Sequence, residues 1–188
     1  MNLPNKITVG RLALTLIFLA LATITKGLPD ENFYRKIGYI ICILAGLTDV
    51  LDGYLARKYH LITNFGKLVD PLTDKIFTVS CFIILVENQI VPAWIVILIL
   101  TREFAVTGLR SLAANKGHII TAVTLAKMKT LSQMMVLLIA GSIWVGWIEL
   151  IGWVQLVWQI LLYLLAAFTV YTGFEYFIKN KSLYLEDV

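Results

Sequence analysis

Four aspartates stand at positions 49, 52, 70 and 74 of a chain that is otherwise rich in apolar residues. The stretch from Asp49 to Asp74 reads DVLDGYLARKYHLITNFGKLVDPLTD. Asp49, Asp52, Gly53, Ala56 and Arg57 lie at offsets 0, 3, 4, 7 and 8, which on a helix is one stripe. Gly66, Asp70 and Asp74 lie at offsets 0, 4 and 8, a second stripe on the next helix. A short connection makes the two helices antiparallel neighbours, so four carboxylates meet near one end of the pair. An aspartate at the bilayer centre costs roughly 2.5–3.5 kcal/mol, and four together also repel one another. Arg57 brings one positive charge and Lys75 follows Asp74, which is too few cations for four acids. Oxygen donors without histidine or thiolate select Mg2+, Mn2+ or Ca2+. Four carboxylates are enough for two divalent ions, an arrangement suited to phosphoryl chemistry. Gly53, Ala56 and Gly66 either let the helices pack closely or clear a nucleotide-wide cleft beside the acids. A purely structural ion network is the plain alternative.

The elements that hold these residues follow from hydropathy. The chain has 188 residues, 59% hydrophobic and only 15% charged, with a mean hydropathy of +0.82. Soluble domains carry roughly 25% charged residues, so this is the composition of a membrane protein. Six apolar segments run roughly over 8–26, 37–57, 69–87, 92–110, 125–147 and 153–177. Each is long enough to cross roughly 30 Å of hydrocarbon as a helix. The expected fold is all-α: a polytopic integral membrane protein with six transmembrane helices, a short N-terminal interfacial segment opened by Pro4, and one domain over 1–188. Pro29 marks a turn, and Pro92 suits the first turn of the fourth span. The apolar run after MNLPNKITVGR is too long for a signal peptide and reads as a retained span. Cys42 and Cys81, inside apolar runs, read as core filler rather than a disulfide or metal pair.

Orientation follows from charge. With the N-terminus in the cytoplasm, thirteen of the 16 lysines and arginines fall on or near the inner side, and only Lys26, Arg35 and Lys36 fall outside. Both termini and the acid cluster are then cytoplasmic. Trp94, Trp144, Trp147 and Trp153 gather near the outer ends, as an interfacial belt would. No nucleic-acid partner is expected; the basic face suits anionic lipid or phosphate.

The eight fixed positions Asp49, Asp52, Gly53, Ala56, Arg57, Gly66, Asp70 and Asp74 match a known signature at every step. The sequence resembles the CDP-alcohol phosphotransferases, integral membrane enzymes of phospholipid synthesis. The resemblance implies a six-helix fold, a homodimer in the bilayer and two divalent cations, Mg2+ or Mn2+. It implies that Asp49, Asp52 and Asp70 are metal ligands, that Asp74 is both ligand and general base, and that Gly53, Ala56, Arg57 and Gly66 line the CDP pocket. NLPNKITVGR, GKLVDPLTDK, TREFAVTGLR and AKMKT resemble the branch of the family that transfers a phosphatidyl group from CDP-diacylglycerol to sn-glycerol 3-phosphate. In that reading Asn5 and Thr8 approach the nucleotide from the first helix.

The acceptor must be sought among the remaining charges. Arg102 and Arg110 are eight residues apart on one helical face, and Lys127 and Lys129 open the fifth span. A phosphate needs such a cationic pocket, and Arg110 is the first choice because it ends the fourth span. Against this, Arg102 can pair with Glu103, and the lysines can be inner-face anchors. His60 and His118 read as solvated, and Tyr171 and Glu175 as helix-packing or dimer contacts. Other acceptors for the same chemistry are phosphatidylglycerol, as in cardiolipin synthesis, inositol phosphate and serine. A cation transporter is the reading from another class, but it calls for polar groups through to the outer side and broken helices near the midplane. Here the outer halves are apolar and no span carries a central proline.

Overall fold

An apolar chain in lipid has no partner for its backbone N–H and C=O groups except itself, which favours helices. The computed structural model describes residues 3–58, 64–116 and 124–181. The described residues form six α-helices and no strand: α1 (Leu3–Ile24), α2 (Glu31–Lys58), α3 (Asn64–Glu87), α4 (Ala93–Asn115), α5 (Thr124–Trp144) and α6 (Trp153–Lys179). Each expected apolar segment thus contains a helix, but the bounds move. The N-terminal interfacial segment is not a separate element, because residues from Leu3 onward are the first turns of α1. Pro4 needs no N–H there, so nothing interrupts the helix. α3 starts five residues before its apolar segment, which puts Pro71 inside it. Pro71 has no N–H to give the carbonyl of Lys67, which lies about one turn before Asp70.

The chain divides into two compact units, Met1–Ile90 with Ala140–Ile148, and Val91–Ile139 with Glu149–Val188. In the first, α1 packs against both α2 and α3. Its buried face carries Asn5, Thr8, Arg11 and Thr15, then Phe18 and Ala22, at intervals of three or four residues. The N-terminal half of this face is polar and the C-terminal half apolar. Past the C-terminus of α1 Gly27 takes φ +80°, the left-handed turn that stops the helix. Its N–H donates to the Glu31 carboxylate at 2.7 Å. That bond, with Arg35 and Lys26 nearby, holds the Glu31 carboxyl below the usual range. Glu31 also pairs with Arg35, and Lys26 pairs with Glu87 at 2.7 Å. Two of the three cations assigned to the outer side are therefore ion-paired.

Trp144 departs from the expected aromatic belt. It is 4% exposed, edge-on to Phe18 at 5.9 Å and beneath the Arg35 guanidinium at 6.0 Å. It is core, whereas Trp94, Trp147 and Trp153 are exposed. Nearby, a Cβ on Gly141 would lie 2.2 Å from Tyr39 Cε2, so only glycine admits the Tyr39 ring there. Cys42 and Cys81 face each other at 3.4 Å as free thiols.

In the second unit α4 packs on α6. Trp94 stacks on Tyr163 at 5.9 Å, and Val106 and Leu109 pack with Tyr176 and Phe177. By length and composition, two of the six helices are apolar enough to cross a bilayer, over Asn5–Ile24 and Trp153–Lys179, and α5 has a shorter apolar run over Met128–Trp144. α2, α3 and α4 carry the acids and arginines that lower their hydropathy. Large apolar side chains stand on the outside, such as Leu16, Ile24, Ile97, Phe104, Leu164 and Phe174. In water such a surface would drive association, whereas in lipid it is the ordinary exterior.

Candidate active site

The first unit brings the motif helices together in a definite register. Arg35 Nη2 donates to Asn88 Oδ1 at 3.2 Å, Cys42 meets Cys81, and Gly46 faces Phe77. The residue numbers of each pair add to 123, which is the mark of two antiparallel helices. Continued inward along α2 and α3, the same register sets Asp49 level with Asp74 and Gly53 level with Asp70. α1 runs parallel to α3: Thr8 meets Asp70 and Lys26 meets Glu87, at offsets of 62 and 61 residues. Gly38 lies against Phe18, and that antiparallel pairing, continued inward, puts Thr8 level with Thr48 and Asn5 level with Leu51. Asn5, Thr8, Asp49, Asp52, Asp70 and Asp74 thus occupy one end of a three-helix unit. The side chains of Asp49, Asp52, Gly53, Ala56, Arg57 and Lys127 lie outside the described residues, as do His60 and His118 entirely.

One contact at this end is explicit. The Thr8 hydroxyl, 1% exposed, donates to Asp70 Oδ1 at 2.8 Å. A hydroxyl bonded to one carboxylate oxygen fixes the other's direction, as the outer shell of a metal site does. Asn5 and Gly66 are buried beside it. Among the described residues Asp70 and Asp74 offer oxygens at this level, and the two cysteines sit further toward the other end of the unit. The donor set therefore fits a hard divalent cation. Among the described residues no three histidine, cysteine or acidic side chains meet as a metal group; Asp70 and Asp74 are the two of the four aspartates whose side chains are described.

The cations singled out on α4 and α5 lie in the second unit. Lys129 is buried and ion-paired with Glu103. Arg102 Nη1 reaches the same Glu103 oxygen at 3.4 Å. Glu103 therefore joins both cations, and its pairing with Arg102 is the alternative that the sequence offered. Arg110 Nε donates to the Tyr176 hydroxyl at 2.9 Å, and its guanidinium lies 5.5 Å above the Tyr176 ring. Tyr171 is exposed, and Glu175 pairs with Lys179 at 2.5 Å.

The CDP-alcohol phosphatidyltransferase family model matches residues 1–171, almost the whole chain and the entire aspartate motif. The chain belongs to the CDP-alcohol phosphatidyltransferase family. It is 43% identical over 189 residues to a Bacillus subtilis protein named CDP-diacylglycerol–glycerol-3-phosphate 3-phosphatidyltransferase, covering 95% of both chains. It is 38% identical over 185 residues to the Rickettsia typhi protein of that name, covering 97% of this chain and 99% of the other. A Haemophilus influenzae protein of the same name is 32% identical over 196 residues, covering 100% and 97%. As a member of this family the chain is a membrane-associated transferase of phospholipid synthesis.

Within this phosphatidyltransferase, two residues near the expected positions escaped the sequence reading. Arg11 was counted only as an inner-face cation, yet it is 1% exposed and, by the α1–α3 offset, level with Thr73 and Asp74. The interval Asn5, Thr8, Arg11 was the available signal. Tyr176 had none, because it meets Arg110 across 66 residues of chain.

Proposed function

We propose that this enzyme transfers the phosphatidyl group of CDP-diacylglycerol to sn-glycerol 3-phosphate, releasing CMP and phosphatidylglycerophosphate. The observation that carries the reading is the inner end of the first unit. There the eight-position signature lies on two helices in antiparallel register, and Thr8 already orients Asp70. Asp49, Asp52, Asp70 and Asp74 are the ligands of two divalent cations, Mg2+ or Mn2+, in keeping with general use of such ions in the family. Bound there, the ions neutralise the pyrophosphate and stabilise the charge that leaves with CMP. Asn5, Thr8, Gly53, Ala56, Arg57 and Gly66 hold the CDP moiety. Asp74 takes the proton from the glycerol 1-hydroxyl as its oxygen attacks the phosphatidyl phosphorus in line. Arg110, with Arg102, Lys127 and Lys129, binds the acceptor phosphate.

All six helices span the membrane in this reading, as one catalytic domain over 1–188. Both termini and the site are cytoplasmic, where the nucleotide and glycerol phosphate are soluble and the acyl chains stay in the leaflet. The enzyme acts as a homodimer. Among the described charges of these spans, Asp70, Asp74, Arg102 and Glu103 are partly buried, which lowers their cost in lipid. The test is CMP release by purified enzyme given CDP-diacylglycerol with glycerol 3-phosphate, phosphatidylglycerol, inositol phosphate or serine in turn. Turnover with glycerol 3-phosphate alone is expected; release with another acceptor and none with glycerol 3-phosphate would overturn the assignment.

A further inference from the structure

We propose that Tyr176 is a positioning residue that presents the Arg110 guanidinium end-on to the phosphate of the acceptor. The proposal rests on the reading above that Arg110 binds this phosphate, and it names what gives that contact its preference for a phosphate monoester.

Val106, Leu109 and Arg110 stand at offsets 0, 3 and 4, one face of α4. Val106 and Leu109 pack on Tyr176 of α6, with Phe177 beside them. Tyr176 is 3% exposed, so its ring is held by this packing. One turn later Asn180 Nδ2 donates to the Tyr176 carbonyl at 2.7 Å, which ties the end of α6 at this level. Arg110, by contrast, is exposed. A fixed tyrosine on α6 thus meets an exposed arginine on α4. Packing alone would be served as well by phenylalanine, and the hydroxyl is the part that reaches Arg110.

Two contacts join the pair. Arg110 Nε donates to the Tyr176 hydroxyl at 2.9 Å. The guanidinium carbon lies 5.5 Å from the centre of the Tyr176 ring, within reach of a cation–π interaction. An exposed arginine without such contacts samples many rotamers, and a ligand that needs one of them loses affinity by ordering it. Here α6 orders the side chain before the acceptor arrives. The hydroxyl also selects an edge. A guanidinium can offer two phosphate oxygens either its Nε–Nη edge or its Nη–Nη edge. Nε–H is taken by Tyr176, so the Nη1–Nη2 edge remains for bidentate binding. Two parallel N–H bonds match two oxygens of one phosphate, whereas the hydroxyl of an unphosphorylated alcohol cannot fill both.

The test uses full-length enzyme in detergent, with CDP-diacylglycerol, glycerol 3-phosphate and inorganic phosphate as a competitor. Tyr176→Phe keeps the ring and loses the hydroxyl. It should raise the KM for glycerol 3-phosphate roughly three- to tenfold, the scale of ordering one long side chain. Its kcat and its KM for CDP-diacylglycerol should stay near wild type, and the inhibition constant of phosphate should rise by the same factor as the KM. Arg110→Met should raise that KM further. Adding Tyr176→Phe to Arg110→Met should change nothing more, because the hydroxyl acts only through the guanidinium. Unfolding temperatures of all variants ensure that kinetics are read on folded enzyme. A wild-type KM in Tyr176→Phe beside a raised KM in Arg110→Met would overturn the positioning role and leave the acceptor reading standing. The same rise from Tyr176→Phe with and without Arg110, or a loss confined to kcat, would overturn it as well. An unchanged phosphate inhibition constant in Tyr176→Phe would overturn the phosphate contact. A wild-type KM for glycerol 3-phosphate in Arg110→Met would overturn the acceptor role of Arg110 and the proposal with it.

Discussion

Thr8→Val removes a single hydroxyl and keeps the side chain's shape. In the wild type that hydroxyl donates to Asp70 Oδ1 at 2.8 Å from a position 1% exposed to solvent. A hydrogen bond to a charged group is worth about 1.5–3 kcal/mol, because little water is available to replace it. At about 1.4 kcal/mol per factor of ten, that corresponds to roughly 10- to 150-fold in an equilibrium constant. Outer-shell partners of metal-ligating carboxylates change metal affinity by about 10- to 100-fold, the same range. The expected result is a loss of Mn2+ affinity of roughly 10- to 100-fold, followed by free Mn2+ in electron paramagnetic resonance titrations and by the metal dependence of CMP release. Thr8→Ser should return most of the affinity. The unfolding temperature without metal should fall somewhat too, since valine fills the space but gives Asp70 no donor, so Mn2+ affinity is read on enzyme that is still folded. Unchanged Mn2+ affinity in the valine variant would refute the reasoning, because Asp70 would then need no orientation by α1.

Four further outcomes follow from other parts of the molecule. Asp74→Asn should lower kcat by at least roughly a hundredfold while donor binding largely persists, since an amide cannot accept the proton; near-normal kcat would remove Asp74 as general base. Arg110→Lys should raise the KM for glycerol 3-phosphate about tenfold and spare that for CDP-diacylglycerol, with Tyr176→Phe showing in steady-state kinetics how much of the effect passes through the 2.9 Å bond to Tyr176. Gly141→Ala should destabilise by about 1–3 kcal/mol through overpacking, because its Cβ would sit 2.2 Å from Tyr39 Cε2, and Tyr39→Leu should restore the unfolding temperature. Glu31 has a folded pKa below its unfolded one, so its contribution is present above the ordinary carboxylate range and lost as pH falls through it; Glu31→Gln should flatten the unfolding temperature across that acidic window.

The helices, and the acid cluster as a candidate metal site, were legible in the sequence for physical reasons. Apolar runs of 18 or more residues leave the backbone few choices besides helix, and aspartates at helical intervals within such runs need cations. Asp49, Asp52, Asp70 and Asp74 therefore marked the candidate site before any coordinates, and the apolar runs marked the order of the six helices. The ends of those helices did not, because hydropathy marks where lipid would begin and not where hydrogen bonding stops. Hence α3 starts at Asn64 and encloses Pro71, and α1 begins at Leu3 without a separate leading segment.

What only the tertiary structure decided is partnership between distant residues. Composition says that Trp144 is aromatic and near a helix end, but only packing makes it core beneath Arg35. Adjacency in sequence lets Arg102 pair with Glu103, but only the approach of α5 to α4 brings Lys129 to the same carboxylate. Thr8 meets Asp70 because α1 runs parallel to α3 at an offset of about 62 residues, a number no local pattern contains. Local spacing fixes which side chains share one helix face; which face meets which is set by the packing of whole helices, and that is where Thr8, Glu103 and Tyr176 acquired their partners.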